Sequence, residues 1–168
     1  EDGSPKYETV TKVERETINS QIPIWQRSKS EVTDEQCMEF YKEHWHDTTD
    51  PACVIRINAE GQVSYKAMLF IPGRQLLDYM TSTYEPGPEL YSSGVMIMEH
   101  CQDLLAESFY FVRGIVDSPD LSLNISREML QHDRQLKLIA QNINKRIKSE
   151  LTKMLANDRP KYEEFYAN

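Results

Sequence analysis

Val63-Ser64-Tyr65-Lys66-Ala67-Met68-Leu69-Phe70-Ile71 is the stretch whose reading decides the fold. Its first half alternates apolar and polar side chains, the period of a strand with one wet face. Its second half loses the alternation, as a strand covered on both faces does. Pro72-Gly73 stops it. Upstream, Val54-Ile55-Arg56-Ile57 alternates and Asn58-Ala59-Glu60-Gly61 supplies a turn. Together they predict a hairpin whose longer strand lies inside the protein.

Helices are needed to cover such a sheet. Thr33-Asp34-Glu35-Gln36 reads as a capping box, opening a helix that runs to about His44 with Cys37, Phe40, Tyr41 and His44 on one face. Asp50-Pro51 ends that stretch. Near the C-terminus, Leu136, Ile139, Ile143, Ile147, Leu151 and Leu155 recur at steps of three and four and predict one apolar stripe on a long helix. Asp158-Arg159-Pro160 closes it, and Lys161 to Asn168 starts another helix. Between these, a short helix is expected from about Gln75 to Ser82. Leu90-Tyr91 and Val95-Met96-Ile97-Met98 read as strand pieces interrupted by Ser92-Ser93-Gly94, and residues 104–109 as a short helix or turn. Phe111-Val112-Arg113-Gly114-Ile115-Val116-Asp117 reads as a core strand. At the front, Tyr7 to Asn19 is β-prone and leads into Ile22-Pro23-Ile24-Trp25-Gln26-Arg27, where Pro23 should stop pairing. The polar run Arg27-Ser28-Lys29-Ser30 then leaves Trp25 partly exposed and mobile. Strands mixed with helices in this way predict one sheet covered by helices, an α/β or α+β sandwich.

The 168 residues are 39% hydrophobic and 27% charged, enough for one domain with a core and a well-solvated surface. No apolar run reaches the ~20 residues of a membrane helix. The chain opens on Glu1-Asp2-Gly3-Ser4-Pro5 without an initiator Met or a signal-peptide pattern, as expected of a piece of a longer soluble protein. Nineteen basic against 27 acidic residues leave a net charge of -8, which disfavours a dedicated nucleic-acid binder. Cys37, Cys53 and Cys101 are odd in number and far apart, a pattern of buried thiols in a reducing cytoplasm rather than a disulfide framework. Cys37, His44, His46 and Cys53 lack the short Cys-x2-4-Cys hook of a structural zinc site, so no metal is expected.

No phosphate-cradling glycine loop and no Gly-x-Ser-x-Gly elbow occurs. Ser126, His132 and Asp133 lie too close in sequence to line up as a relay, and Glu128 reads as a solvated acid at a helix start. The segment from Asp117 to Gln131 stands out, because Asn124, Arg127 and Gln131 sit on a loop between a buried strand and a long helix. The planar fork of Arg127 suits a phosphate oxygen, or else it braces loop carbonyls and neighbouring acids.

Arg113-Gly114-Ile115-Val116-Asp117-Ser118, followed by Asp120-Leu121-Ser122-Leu123-Asn124-Ile125-Ser126-Arg127-Glu128-Met129-Leu130-Gln131, resembles the signature of the ninety-kilodalton heat-shock chaperone family, in its middle domain. Ile18-Asn19 with Pro23-Ile24-Trp25-Gln26-Arg27 resembles the start of that domain. Phe40-Tyr41-Lys42, Glu60-Gly61, Leu69-Phe70-Ile71-Pro72, Leu90-Tyr91 and Glu163-x-Phe165-Tyr166 follow in order. Tyr91-Ser92-Ser93-Gly94-Val95 and the run from Gln131 to Ile139 resemble the bacterial branch. The resemblance implies an α/β/α sandwich of the gyrase-like ATPase transducer type with a C-terminal connecting helix. Residues 1–17 would be linker and leading strand, 18–157 the large subdomain, and 158–168 the start of a helical connector.

It further implies a cytoplasmic, ATP-driven, homodimeric chaperone that binds unfolded or partly folded client proteins. ATP and Mg would sit in an N-terminal ATPase domain of the same protein and dimer contacts in its C-terminal domain. Arg127 would reach the γ-phosphate, with Asn124 and Gln131 forming and holding its loop. Trp25 and Leu77 would contact clients. Many relatives carry basic residues at Ser92-Ser93 and an aromatic one at Met96, positions that help grip the N-terminal domain. The alternatives are a transducer domain of a DNA-processing ATPase, which the acidic charge disfavours, and a purely structural adaptor. A chain lacking any phosphate loop is expected not to bind nucleotide by itself. Calorimetric titration of the chain with Mg-ATP should show no micromolar binding; a saturable signal would overturn that expectation.

Overall fold

A computed structural model describes residues 22–74, 84–122 and 133–167. Its centre is the predicted hairpin. Strands β1 (Cys53–Ala59) and β2 (Tyr65–Ile71) pair antiparallel, with Cys53 opposite Ile71 and Ala59 opposite Tyr65. Pairing therefore continues through Asn58 and Ala59, where the sequence predicted the turn, and residues 60–64 make the connection. Strands β3 (Glu89–Ser92), β4 (Val95–Met98) and β5 (Arg113–Asp117) complete a sheet of order β1-β2-β5-β3-β4. β5 runs antiparallel to β2 and parallel to β3.

The interruption expected at Ser92-Ser93-Gly94 is a hairpin turn. Ser93 and Gly94 have φ of 51° and 81°, the positive pair a type I′ turn requires, and Ser92 faces Val95 across it. Gly114 is needed for a different reason. A Cβ there would lie 2.4 Å from the Met68 carbonyl oxygen, inside the β2–β5 ladder.

The period-two pattern of β2 sorts its side chains onto two cores. Tyr65, Ala67, Leu69 and Ile71 face one cluster with Leu136, Ile139, Ile143 and Ile147; Met68 and Phe70 face another with Val32, Cys37 and Tyr41. The sheet is therefore covered on one side by α1 (Asp34–His44) and on the other by α2 (Arg134–Asn157). This is the expected α/β/α sandwich. The loss of alternation after Lys66 is explained: residues 67–71 are all buried, in a strand with neighbours on both sides.

α1 starts on the predicted capping box, with Gln36 N donating to Thr33 Oγ1 and Thr33 N to Gln36 Oε1. Cys37 and Tyr41 form its buried face. The Tyr41 hydroxyl donates to Asp47 Oδ2 at 2.8 Å, and burial together with that carboxylate pushes the phenol pKa up. His44 departs from the expected apolar face. It lies at the exposed end, its ring stacked on Phe40 and its Nε2 paired with Glu89. After α2, helix α3 (Arg159–Ala167) follows with Pro160 in its first turn, and Phe165 packs against Phe111 at 5.4 Å between ring centroids. The expected strand at 7–19 and helix at 75–82 lie outside the described residues.

The α2 stripe needs one correction. Leu136, Ile139, Ile143 and Ile147 are fully buried, but Leu155 is 43% exposed and Met154 is buried in its place. At about 100° per residue, repeated steps of four advance around the helix by about 40° each. Sixteen residues after Ile139, Leu155 has rotated by about 160°, whereas Met154 is only about 60° off the face. Ile143→Ala should therefore cost about 2–5 kcal/mol in urea unfolding, as cavity-forming core changes do. Leu155→Ala should stay within about 0.5 kcal/mol. Equal losses would refute this assignment of the two positions.

Candidate functional site

The site is built around the exit of β5. Asp117 ends that strand with its carboxylate buried, so it requires donors. It receives the Trp25 indole Nε1–H at 3.2 Å, the Gln26 amide Nε2–H at 2.6 Å and the Gly94 backbone N–H at 3.1 Å. Trp25 lies on a short 3-10 turn, Ile24–Gln26, set by Pro23. It is half-buried, with its ring 5.0 Å from that of Tyr91 and 6.1 Å from that of Phe40. The sequence indicated partial exposure but not this anchorage.

Beyond Asp117 the chain is stapled to the sheet before it becomes the candidate loop. Ser118 N donates to the Tyr91 carbonyl and Ser118 Oγ to that of Ser64, at 3.1 and 2.7 Å. Ser64 N donates to Asp120 Oδ2, and the buried Ser92 hydroxyl donates to the Leu121 carbonyl at 2.6 Å. Ser92, a position tied by resemblance to interdomain grip, thus faces inward and holds this base. Ser93 and Met96 remain exposed. The far end of the loop is fixed as well. Asp133, drawn earlier into a nominal relay with His132, caps α2 by accepting from Gln135 N and Leu136 N at 2.7 and 2.9 Å. Asn124, Arg127 and Gln131, with Ser126, Glu128 and His132, lie outside the described residues, as does Leu77. The sequence reading singled out the segment holding Asp117, Ser118 and Asp120 and named Ser92 as a grip position, but it missed the anchoring role of all four and of Ser64. The Ser-Pro-Asp turn signal at 118–120 was the one local clue, realised here as Asp120 N donating to Ser118 Oγ.

A cleft of about 490 Å³ opens beside this base, lined by Gln26, Glu60, Ser64, Lys66, Ser93 and Asp117 among others. A triphosphate does not fit it chemically. Two of those six residues, Glu60 and Asp117, are carboxylates, which repel an anion of several charges. Cys37 and Cys53 pack on opposite faces of the sheet, and burial raises both thiol pKa values. Among the described residues no three or more His, Cys, Asp or Glu side chains converge as metal ligands, and no helix is long and apolar enough to cross a membrane.

The described residues form a mixed sheet between two helical layers. The solved middle domain of a Plasmodium falciparum heat shock protein matches it with a TM-score of 0.75 at 24% identity, covering 88% of this chain and 56% of that one. The family described as "Hsp90 protein" matches residues 1–168. Chaperone protein HtpG of Bacillus subtilis is 56% identical over 91% of this chain and 24% of its own length. That of Oceanobacillus iheyensis is 51% identical over 99% of this chain and 26% of its own. The chain belongs to the Hsp90 family, and it spans about a quarter of the length of these relatives.

Asp117→Ala should remove three acceptor contacts at once and leave buried donors unmet, costing about 1–3 kcal/mol or more. In a Trp45→Phe background it should also shift Trp25 emission to the red and ease quenching. An unchanged spectrum in the Asp117→Ala protein would refute the anchoring role.

Proposed function

We propose that this chain is the middle-domain segment of an ATP-dependent chaperone, contributing an Arg-bearing loop to an ATP site on another domain and part of the surface that meets client proteins. Residues 18–157 would make up the large subdomain, 158–168 the start of the connector to the rest of the protein, and 1–17 the lead-in. ATP and Mg would be held by the N-terminal ATPase domain and dimer contacts made by the C-terminal domain of a cytoplasmic homodimer. The bound nucleotide supplies the phosphoryl group to be transferred. This chain's part is to present Arg127 on a loop shaped by Asn124 and Gln131, with Trp25 and Leu77 on the client side.

The observation that carries the reading is the base of the loop. Ser118, Asp120 and Leu121 are tied to Ser64, Tyr91 and Ser92, and Asp133 caps α2 at the other end. A guanidinium that must meet charge developing on a phosphoryl group in a partner domain gains from a stiff mount, because its effect depends on position. Such a group acts only once the domains have closed, which couples hydrolysis to movement.

In the full-length parent, Arg127→Ala should lower single-turnover hydrolysis by roughly 10–10³-fold, below the usual arginine-finger effect where a conformational step limits the rate. Nucleotide affinity of the open state should stay near the parent value, because the contact is made in the transition state. Arg127→Lys should restore activity partly, and Gln131→Ala should be milder. Full activity in a folded Arg127→Ala protein would defeat the catalytic assignment and leave a loop-bracing Arg.

A further inference from the structure

Four cations converge next to Trp25 in a chain whose net charge is -8. A cavity of about 300 Å³ is lined by Trp25, Arg27, Lys29, Arg56 and Lys66, with Ser28, Ile57, Asn58 and Ala67, and no carboxylate among the described residues lines it. The cations are held open by backbone. Arg56 Nη1 donates to the Val32 carbonyl at 3.1 Å and Nη2 to those of Ser28 and Arg27, at 3.2 and 3.4 Å. Arg27 Nε donates to the Ile22 carbonyl and Lys66 Nζ to that of Gln26. A carbonyl orients a guanidinium or ammonium without cancelling its charge. Two described acids stand at its rim: Asp117, which accepts from the Trp25 indole, and Glu31, which is bonded to Ser28. The Glu31 carboxyl is held below its usual range by the Ser28 hydroxyl and amide and, more weakly, by Arg27 and Lys66. Among the described residues, these two carboxylates against four cations leave the pocket net positive.

We propose that this pocket takes the carboxylate side chains of acidic, hydrophobic-flanked stretches of a bound polypeptide, so that client segments engage Trp25 by an apolar side chain and Arg27, Lys29 and Lys66 by a neighbouring Asp or Glu. The proposal rests on the reading of Trp25 as a client contact and names the chemistry that contact selects. Geometry supports the pairing, because Trp25 and the cations share the same wall. Arg56 acts as a positioning residue: its carbonyl contacts hold residues 27–32 over β1, setting where Arg27 and Lys29 stand. A nucleic-acid strand is the less favoured occupant, because the surrounding charge is acidic and a backbone needs a longer cationic track.

The test uses the chain itself and a short fluorescein-labelled peptide in which Glu alternates with Leu and Phe, beside an otherwise identical peptide with Gln for Glu. Anisotropy titrations should show the Glu peptide binding at least about fivefold tighter, the scale of one exposed charge-assisted contact. The difference should shrink as ionic strength rises from ~0.05 to ~0.3 M. Lys29→Glu and Arg27→Gln should each remove most of the preference, whereas Lys148→Glu on α2, which changes net charge as much as Lys29→Glu, should not. Arg56→Lys should weaken it with the melting temperature retained. Equal binding of the two peptides, dependent on Trp25, would overturn the acidic preference and leave the client reading standing. Binding of neither would overturn both. Tighter binding of a labelled oligothymidylate, abolished by Lys29→Glu, would assign the pocket to nucleic acid instead and defeat the proposal.

Discussion

The carboxylate of Asp117 is the interaction on which the exit of β5 and the turns around it depend. A buried acid is tolerated where donors surround it, and the donors here come from two distant parts of the chain: the Trp25–Gln26 turn and the β3–β4 turn at Gly94. None of these can be supplied locally, since Trp25 is 92 residues away and Gly94 is 23. The contacts form together once the sheet is in register, so the three pieces behave as one unit rather than as three loops.

The sheet topology explains why that unit sits where it does. β3 and β5 are parallel, with Tyr91 opposite Asp117, so both strands deliver their carboxyl ends to the same edge. Open α/β sheets concentrate their working loops there. Two bonds tie the exits together, Ser118 N to the Tyr91 carbonyl and Ser92 Oγ to the Leu121 carbonyl. The second puts a small hydroxyl in a place with no room for a long charged side chain in the same pose.

Much of this fold was legible because periodicity carries it. β2 and its partner follow period two, α1 its capping box, and the first half of α2 its apolar stripe. What failed to show was what depends on phase or on distant partners. Leu155 left the stripe because a four-residue step outruns the helical turn. Ser93-Gly94 looked like an interruption because a serine at positive φ gives no compositional warning. Arg56 read as the wet side of an alternating strand, yet it organises a loop up to 29 residues away. The candidate site is a different case: Arg127, Asn124 and Gln131 became candidates through their sequence context and a family resemblance and lie outside the described residues, while the residues anchoring the chain at 117–121 gave almost no local signal. Hydrogen bonds from serine and aspartate to remote carbonyls and amides have no period to read.

Rigidity at the base and reach at the tip are complementary demands on a loop that serves another domain. If the base could shift, an arginine presented there would arrive in many poses, and the entropy of fixing one would fall on the docking step. If the whole loop were packed onto its own sheet, nothing would project. The arrangement at 117–122 meets the first demand with bonds to Ser64 just before β2, to β3 and to the Trp25 turn. It also links two surfaces. The indole that faces the cationic pocket donates to the same carboxylate that ends β5. Displacing that indole would leave Asp117 with the Gln26 and Gly94 donors, altering the support of the strand from which the loop departs. The cationic pocket and the end of β5 are therefore one side chain apart.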